Sequence, residues 1–217
     1  MKQSVVHGRW SVVRGLLGTT AFFFLLSTID CRPPTVFAAE EPVVRVAILQ
    51  EAESARLTVL NPCRLIDLKD GALLAEWPHI KWKEVQAGNP GLRIGDHHLP
   101  SQTVLLEIQG EGIFRINAQP YRGSLILYRT PKGKLTVVNR LDLEGYLVGA
   151  LISETDPKWP LEALEAHAVV SRTMAAHSVW ISKDKPFDMT ADTSTHLYHG
   201  VNAERQRTRE AVQQTRG

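Results

Sequence analysis

The feature of the sequence that most constrains the fold is a change in the spacing of its apolar residues near position 139. Before that position, short β-branched runs are separated by turn residues, a pattern typical of antiparallel strands. After it, apolar residues recur every three to four positions, which predicts helices. We therefore expect an α+β protein in which an N-terminal antiparallel β-rich region precedes a helical segment.

The same pattern predicts the individual elements. Strands are expected at residues 43–49, 56–60, 73–76, 80–85, 103–108, 112–116, 123–128 and 135–139. The first helix should begin after Asp142, which can cap it, and end near Ile152. The second should begin at Pro160, because proline suits the first turn of a helix, and run to about Ser182. A third, charged helix is predicted at about residues 203–214.

The first 38 residues predict export. A basic start, an apolar run at 16–26 and a small-residue exit at 36–38 are typical of a cleaved signal peptide. Cleavage leaves a β-rich region at 39–139 and a helical segment at 140–217. The expected location is therefore secreted or cell envelope, in the periplasm or on the outer face of the cytoplasmic membrane. The alternative is a leader that is retained as a single N-terminal anchor.

Charge and cysteine content exclude several classes of protein. The formal net charge is +2, but the leader carries +3 and the remainder −1, so the electrostatic argument for nucleic-acid binding fails. Cys63 is the only cysteine after the leader, which excludes an internal disulfide and disfavours a cysteine-rich zinc site. His196 and His199 form only a weak metal pair, and glycine-rich phosphate loops are absent. We predict neither a metal nor a cofactor, and the oligomeric state stays open.

Glu154 is the carboxylate whose surroundings most favour catalysis. It lies between the apolar end of the first predicted helix and a proline-bounded loop that contains Trp159. Apolar and aromatic walls disfavour the charged form of a carboxyl group, so this setting suits a general acid. The alternative is an ordinary solvated acid in a loop. Arg172, inside an otherwise apolar helix, needs either an acidic partner such as Glu154 or an anionic substrate.

Several ordered motifs in the second half of the chain resemble one family. They are VVNRLDLEGYLVG at 137–149, the Ser153-Glu154 pair, WPLEAL at 159–164, AHAVVSRT at 166–173, YHG at 198–200 and the closing block at 211–217. In this order they resemble the SpoIID/LytB family, the group of stage II sporulation protein D and the amidase enhancers. The resemblance is close over about residues 121–217 and loose over the β-rich region.

The resemblance implies work on the bacterial cell wall. Sporulation members are lytic transglycosylases that cut the glycan strands of peptidoglycan, and their catalytic glutamate corresponds to Glu154. One carboxyl group suffices as general acid and then base, because the sugar's own 6-hydroxyl replaces water as nucleophile. The residues expected to bind substrate or to support Glu154 are Ser153, Trp159, His167, Arg172, His196 and Tyr198. The alternative is a noncatalytic wall-binding protein that activates an N-acetylmuramoyl-L-alanine amidase, which would then be a second partner besides the glycan.

The sequence also departs from the family pattern. Thr155 stands where methionine is usual, His167 and His196 stand where glutamine is usual, and Met174 replaces a common tyrosine. Histidine conserves only part of the hydrogen-bonding pattern of glutamine and adds a dependence on pH. The family continues past the closing block into a Ser- and Gly-rich strand region, so the catalytic segment is expected to be incomplete at the C-terminus.

Overall fold

The structure, a computed structural model, describes residues 42–191 and 198–216. Within these residues the chain forms two β-sheets followed by helices, which confirms the predicted α+β class. The predicted leader at 1–38 lies outside the described residues.

The described strands make two sheets. They are β1 Val43–Ala52, β2 Ser54–Val59, β3 Cys63–Asp67, β4 Leu73–Trp77, β5 Ile80–Ala87, β6 Leu92–Ile94, β7 His97–Leu99, β8 Thr103–Ile108, β9 Ile113–Ile116, β10 Gln119–Arg122, β11 Ser124–Arg129, β12 Leu135–Asp142 and β13 Met189–Thr190. The seven-stranded sheet has the order β13-β1-β12-β11-β8-β3-β4, and the six-stranded sheet has the order β10-β9-β2-β5-β6-β7. Neighbouring strands pair antiparallel, except that β13 pairs parallel with β1.

The helices follow the first twelve strands along the chain, and β13 lies between α2 and α3. They are α1 Leu143–Ala150, α2 Leu161–Ile181 and α3 Gln206–Gln214, with short 3-10 turns at Leu151–Ser153 and Gly200–Ala203. The predicted N-cap is confirmed, because a carboxylate oxygen of Asp142 accepts a hydrogen bond of 2.6 Å from the Gly145 amide. Pro160 occupies the N-cap position of α2, because its extended ψ of 146° lies outside the helical range, so the helix begins at Leu161, one residue after the predicted start.

One apolar core joins the sheets to the helices. Strand β12 crosses the predicted boundary at 139/140 and leads directly into α1. The core includes Leu57, Leu65, Leu92, Phe114, Leu125, Leu135, Tyr146, Leu147, Leu151, Leu164, Ala168 and Ala175. Burial of a side chain such as leucine is worth about 1.5–3 kcal/mol, so this shared core holds α1 and the turn after it firmly on the sheets.

The end of α2 is tied to the first strand by a buried carboxylate. Asp188, whose side chain is fully buried, pairs with the guanidinium of Arg45 at 2.6 Å and accepts a 2.8 Å hydrogen bond from the Arg45 amide. The guanidinium also donates to the carbonyls of Ser182 and Lys185, each at 2.8 Å. Arg45 therefore connects the segment that follows α2 to β1. Strand β13 then pairs with β1 as the edge strand of the seven-stranded sheet.

All eight predicted strands are confirmed to within a few residues at their ends, whereas four short strands before residue 139 were missed. These are β3, β6, β7 and β10, each three to five residues long. The sequence around His97 and His98 predicts a turn, and this prediction is wrong because both residues belong to β7. Strand β10 contains Pro120 and lies at the edge of its sheet, where a residue without an amide proton interrupts no ladder.

Within residues 42–191 and 198–216, none of the helices is both long enough and apolar enough to cross a bilayer.

Candidate functional site

Glu154 lies directly after the 3-10 turn that ends α1. Its amide contacts the Leu151 carbonyl at 3.4 Å, and the buried hydroxyl of Thr155 donates to the same carbonyl at 2.7 Å. Thr155, which stands where the family has methionine, therefore helps to close the turn that presents Glu154. The carboxylate side chain is 35% exposed, so a large substrate can reach it.

His167 brings an imidazole from α2 to this carboxylate. Its Nε2 lies 3.6 Å from Oε2 of Glu154, and its Nδ1 lies 3.1 Å from Oγ of Ser171. Ser171 is buried and sits four residues further along α2, the spacing at which helical side chains meet. The Glu154 carboxylate, the His167 imidazole and the Ser171 hydroxyl are thus successive neighbours in space. Together they form a set of groups that can donate and accept protons.

The loop from Glu154 to α2 is held by backbone hydrogen bonds. The Asp156 carbonyl accepts a hydrogen bond of 2.9 Å from the Trp159 amide, and the Asp156 carboxylate accepts one of 2.9 Å from the Lys158 amide. Arg207 on α3 donates to the carbonyls of Pro157, at 3.1 Å, and Trp159, at 2.8 Å. The Trp159 side chain, in a residue 44% exposed, is therefore carried on a fixed backbone.

Arg172 pairs with Glu144 rather than with Glu154. Its Nε and one terminal nitrogen each donate a 2.8 Å hydrogen bond to the two Glu144 carboxylate oxygens. The same guanidinium donates to the Val212 carbonyl at 3.2 Å and to the Thr215 hydroxyl at 3.4 Å. The hydrogen bonds that Arg172 donates to Glu144 raise the pKa of Arg172, so the residue stays charged and joins α1, α2 and α3 behind the site.

A stack of three buried tyrosines, Tyr121, Tyr198 and Tyr146, ends within electrostatic reach of Glu154. The ring centres of Tyr146 and Tyr198 are 5.4 Å apart, and those of Tyr198 and Tyr121 are 5.9 Å apart. The pKa of Tyr146 is raised, mainly by burial and further by the negative charge of Glu154, which places that carboxylate within electrostatic reach of the phenol. The Tyr198 hydroxyl donates to the Asn139 side-chain oxygen at 3.0 Å. Tyr198 therefore has the position of a supporting residue in the core.

Two motif glycines make this stack possible. A Cβ on Gly149 would lie 2.8 Å from a ring carbon of Tyr198, which is closer than such contacts occur. Gly200 has a φ of +58°, and a Cβ there would lie 2.5 Å from the Pro120 carbonyl. Neither position has room for a Cβ, so both require glycine. Gly200 also has a backbone conformation that other residues rarely adopt.

The remaining predicted site residues differ in how the structure places them. The Ser153 hydroxyl is buried next to Glu154 and has no hydrogen-bond partner within residues 42–191 and 198–216. His196 lies outside the described residues, so its predicted role in binding substrate or in supporting Glu154 stays a prediction. Over those described ranges, no group of three or more His, Cys, Asp or Glu side chains is placed to hold a metal ion.

Sequence reasoning missed two contributors to the site. Ser171 was not identified as the partner of His167, although their four-residue spacing on a predicted helix could have indicated it. Glu144 was not identified as the partner of Arg172, because 28 residues and a loop separate them and no spacing rule connects them.

A known protein family matches the region of the chain that contains this site. Residues 131–217 match a family model described as stage II sporulation protein, SpoIID. This range contains α1, Glu154, α2 and α3, and therefore every residue of the site described above apart from Pro120 and Tyr121. No solved structure shows a significant match.

Two curated relatives are similar over longer stretches. An uncharacterized protein of Brachyspira hyodysenteriae is 34% identical over 179 residues, which is 82% of this chain and 48% of the relative. An uncharacterized protein of Chlamydia muridarum is 28% identical over 134 residues, which is 61% of this chain and 46% of the relative. The chain thus spans about half the length of the curated relatives it matches.

Proposed function

We propose that this chain, whose residues 131–217 belong to the SpoIID family, cleaves the glycan strands of peptidoglycan as a lytic transglycosylase with Glu154 as its acid and base. A SpoIID domain indicates a role connected with peptidoglycan, and the transglycosylase activity is the finer proposal. The single observation that carries it is the contact between the accessible Glu154 carboxylate and the His167 imidazole, at 3.6 Å, above a rigid core.

The reaction needs two proton transfers, and Glu154 takes part in both. Protonated Glu154 gives its proton to the glycosidic oxygen while the bond from that oxygen to the anomeric carbon breaks. The carboxylate then takes the proton of the 6-hydroxyl on the same sugar, and the 6-oxygen bonds to the anomeric carbon. The products are a new sugar hydroxyl and a 1,6-anhydro end, with no water consumed and Glu154 protonated again. A second carboxylate is therefore not required.

The other residues of the site have supporting roles in this proposal. His167 sets the electrostatic environment of Glu154, and the exposed indole of Trp159 offers a surface on which a sugar ring can stack. The pair of Arg172 and Glu144 fixes α1 against α2, so the distance between Glu154 and His167 depends on it.

The test is glycan cleavage by the full chain and by two variants. Glu154→Gln keeps the size of the side chain but cannot transfer the proton, so turnover should fall roughly 10²- to 10⁴-fold on peptide-free glycan strands. Glu162→Gln is the matched control, because Glu162 is an exposed carboxylate in the first turn of α2. Mass spectrometry should find 1,6-anhydro ends with the wild type and with Glu162→Gln.

The other outcomes identify the alternatives. Equal cleavage by wild type and Glu154→Gln would exclude Glu154 as the catalyst, and reducing ends without anhydro sugar would indicate a hydrolase. No cleavage by any form, together with faster wall lysis when an N-acetylmuramoyl-L-alanine amidase is added, would favour the noncatalytic activator.

We also propose that residues 1–38 export the protein, since the substrate lies outside the cytoplasm. The N-terminus of the wall-associated form should then lie near Ala39. N-terminal sequencing that finds Met1 retained would replace cleavage by an N-terminal anchor.

A further inference from the structure

Trp82 has a backbone conformation that bulky residues rarely adopt. It lies within β5 with a φ of +51°, in the left-handed region, and is 61% exposed. Such a conformation persists only where the surrounding structure imposes it, and such residues cluster at functional sites. Packing does not account for the tryptophan, because most of its surface is in solvent.

The conformation belongs to a bulge between β2 and β5. Leu57 pairs with Lys83 and Val59 pairs with Ile80, so β5 contains one more residue than β2 over this interval. The four consecutive residues from 81 to 84 are all exposed, which interrupts the alternation of a strand. A bulge redirects side chains, and here it places an indole on the outer face of the six-stranded sheet.

An open recess of about 510 Å³ lies beside this indole. It is lined by Trp82, Arg56, Glu84 and Asn117, together with Ser54, Ala55 and Ala118. Arg56 and Glu84 are directly opposite each other on β2 and β5, and the Arg56 guanidinium carbon lies 5.7 Å from the indole ring centre. The Asn117 side-chain oxygen accepts a 2.9 Å hydrogen bond from the Arg56 amide, which fixes the hairpin turn at the edge of the recess.

We propose that this recess is a second, noncatalytic carbohydrate-binding site for a sugar unit of the peptidoglycan glycan strand. A pyranose ring has an apolar C–H face that can stack on the indole, as apolar surfaces do on aromatic rings. Its hydroxyl and N-acetyl groups both donate and accept hydrogen bonds, and guanidinium, carboxylate and amide side chains supply both functions. The choice of this glycan rests on the proposed function of Glu154.

The composition of the recess favours a sugar over a nucleic acid. The Glu84 carboxylate stands directly opposite Arg56 and would repel a phosphate backbone. The recess is on the six-stranded sheet, whereas Glu154 follows α1, so the proposed site holds the polymer without contributing to the reaction. Its expected effect is to raise affinity for long strands.

The experiment measures binding in the Glu154→Gln background, so it requires no cleavage and does not depend on the catalytic proposal. Trp82→Gly removes the indole at a position where glycine accepts the backbone conformation without strain. The dissociation constant for peptide-free glycan strands should rise roughly fivefold or more, whereas the melting temperature should stay equal or increase. Trp180→Ala is the matched control, because Trp180 is 66% exposed but lies on α2, and its dissociation constant should stay within about twofold of the parent.

Three results would overturn the proposal. One is equal glycan affinity of Trp82→Gly and Trp180→Ala. Another is a loss of binding only to peptide-bearing wall, which would assign the recess to the stem peptide. If Trp82→Gly does not fold, Trp82→Asn replaces it, because asparagine also tolerates the left-handed conformation and removes the indole. Unchanged glycan affinity of the folded Trp82→Asn variant would be the third contrary result.

Discussion

The imidazole of His167 lies between two groups of different chemistry, with Nε2 at 3.6 Å from Oε2 of Glu154 and Nδ1 at 3.1 Å from Oγ of Ser171. The longer distance exceeds that of a hydrogen bond, whereas the shorter lies within its range. The SpoIID family usually has a glutamine at this position. This chain instead places an imidazole, whose two ring nitrogens can each donate or accept a hydrogen bond, next to the proposed catalytic carboxylate.

The first prediction is that His167→Ala lowers glycan cleavage while the fold is kept. The imidazole lies 3.6 Å from the Glu154 carboxylate and 3.1 Å from the Ser171 hydroxyl, and alanine removes both contacts. Because misplacement of a catalytic group by a small distance lowers the rate strongly, kcat/KM should fall roughly tenfold to a hundredfold. His177→Ala changes an exposed histidine on the same helix and should leave kcat/KM unchanged. Equal kcat/KM for all three folded proteins would show that His167 does not support Glu154.

The second prediction concerns the pair of Arg172 and Glu144, whose side chains are each 18% exposed. Lysine cannot reproduce two parallel hydrogen bonds, so Arg172→Lys should lower the free energy of unfolding by about 1–3 kcal/mol. Urea denaturation measures the change. Arg64→Lys is the control, because the pair of Arg64 and Glu76 is about half exposed and should be worth less than about 1 kcal/mol. Equal losses in both variants would contradict a special role for Arg172.

Periodicity in the sequence predicted the long elements because they bury one face against the core. The repeat of leucines after Asp142 and the cap itself were sufficient to locate α1, and the length of α2 followed from Pro160 and its apolar face. The short strands β6 and β7 were missed because three residues contain too few alternations to be recognised. The parallel pairing of β13 with β1 depends on contacts distant in sequence, so no local pattern indicates it.

The site was predicted less completely than the fold. Glu154 was identified from its position at a helix end, and the structure adds that His167 reaches it across the loop. The expected partner of Arg172 was an acid such as Glu154, but α2 directs its guanidinium to Glu144 on α1. Such pairings depend on how two helices pack, and single-sequence spacing gives no information about that.

The third prediction is that alkaline pH destabilises the fold through Cys63. Burial raises the pKa of this thiol from 9.0 to about 11, because the charged thiolate is poorly solvated in the core. Between these two values the unfolded chain has already lost the proton that the folded chain retains, so stability falls as pH rises through the interval. The loss due to Cys63 should reach up to about 3 kcal/mol at pH 11. Urea titrations at pH 8 and pH 11 should show a smaller difference for Cys63→Val than for wild type, whereas equal differences would assign the effect to other groups.

The last prediction concerns Gly149, which lies in α1 against Tyr198. Replacing a helical glycine with alanine ordinarily stabilises a helix by about 1 kcal/mol. Here the new Cβ would lie 2.8 Å from a ring carbon of Tyr198 and 3.1 Å from the Gly200 carbonyl, and neither neighbour can move easily, since the Tyr198 hydroxyl is bonded to Asn139. Gly149→Ala should therefore destabilise the protein by about 1–3 kcal/mol, the range observed for overpacked cores.

The matched control for that change is Gly145→Ala in the same helix. Its nearest contact would be the Asp142 carboxylate at 3.0 Å, the end of a side chain that can shift, so its cost should be smaller. Displacement of Tyr198 should also reach Tyr146, whose ring centre is 5.4 Å away and whose phenol is within electrostatic reach of Glu154. Gly149→Ala should consequently lower glycan cleavage more than Gly145→Ala does at a temperature where both are folded. Equal stability and equal cleavage in the two variants would show that the tyrosine stack does not support the site.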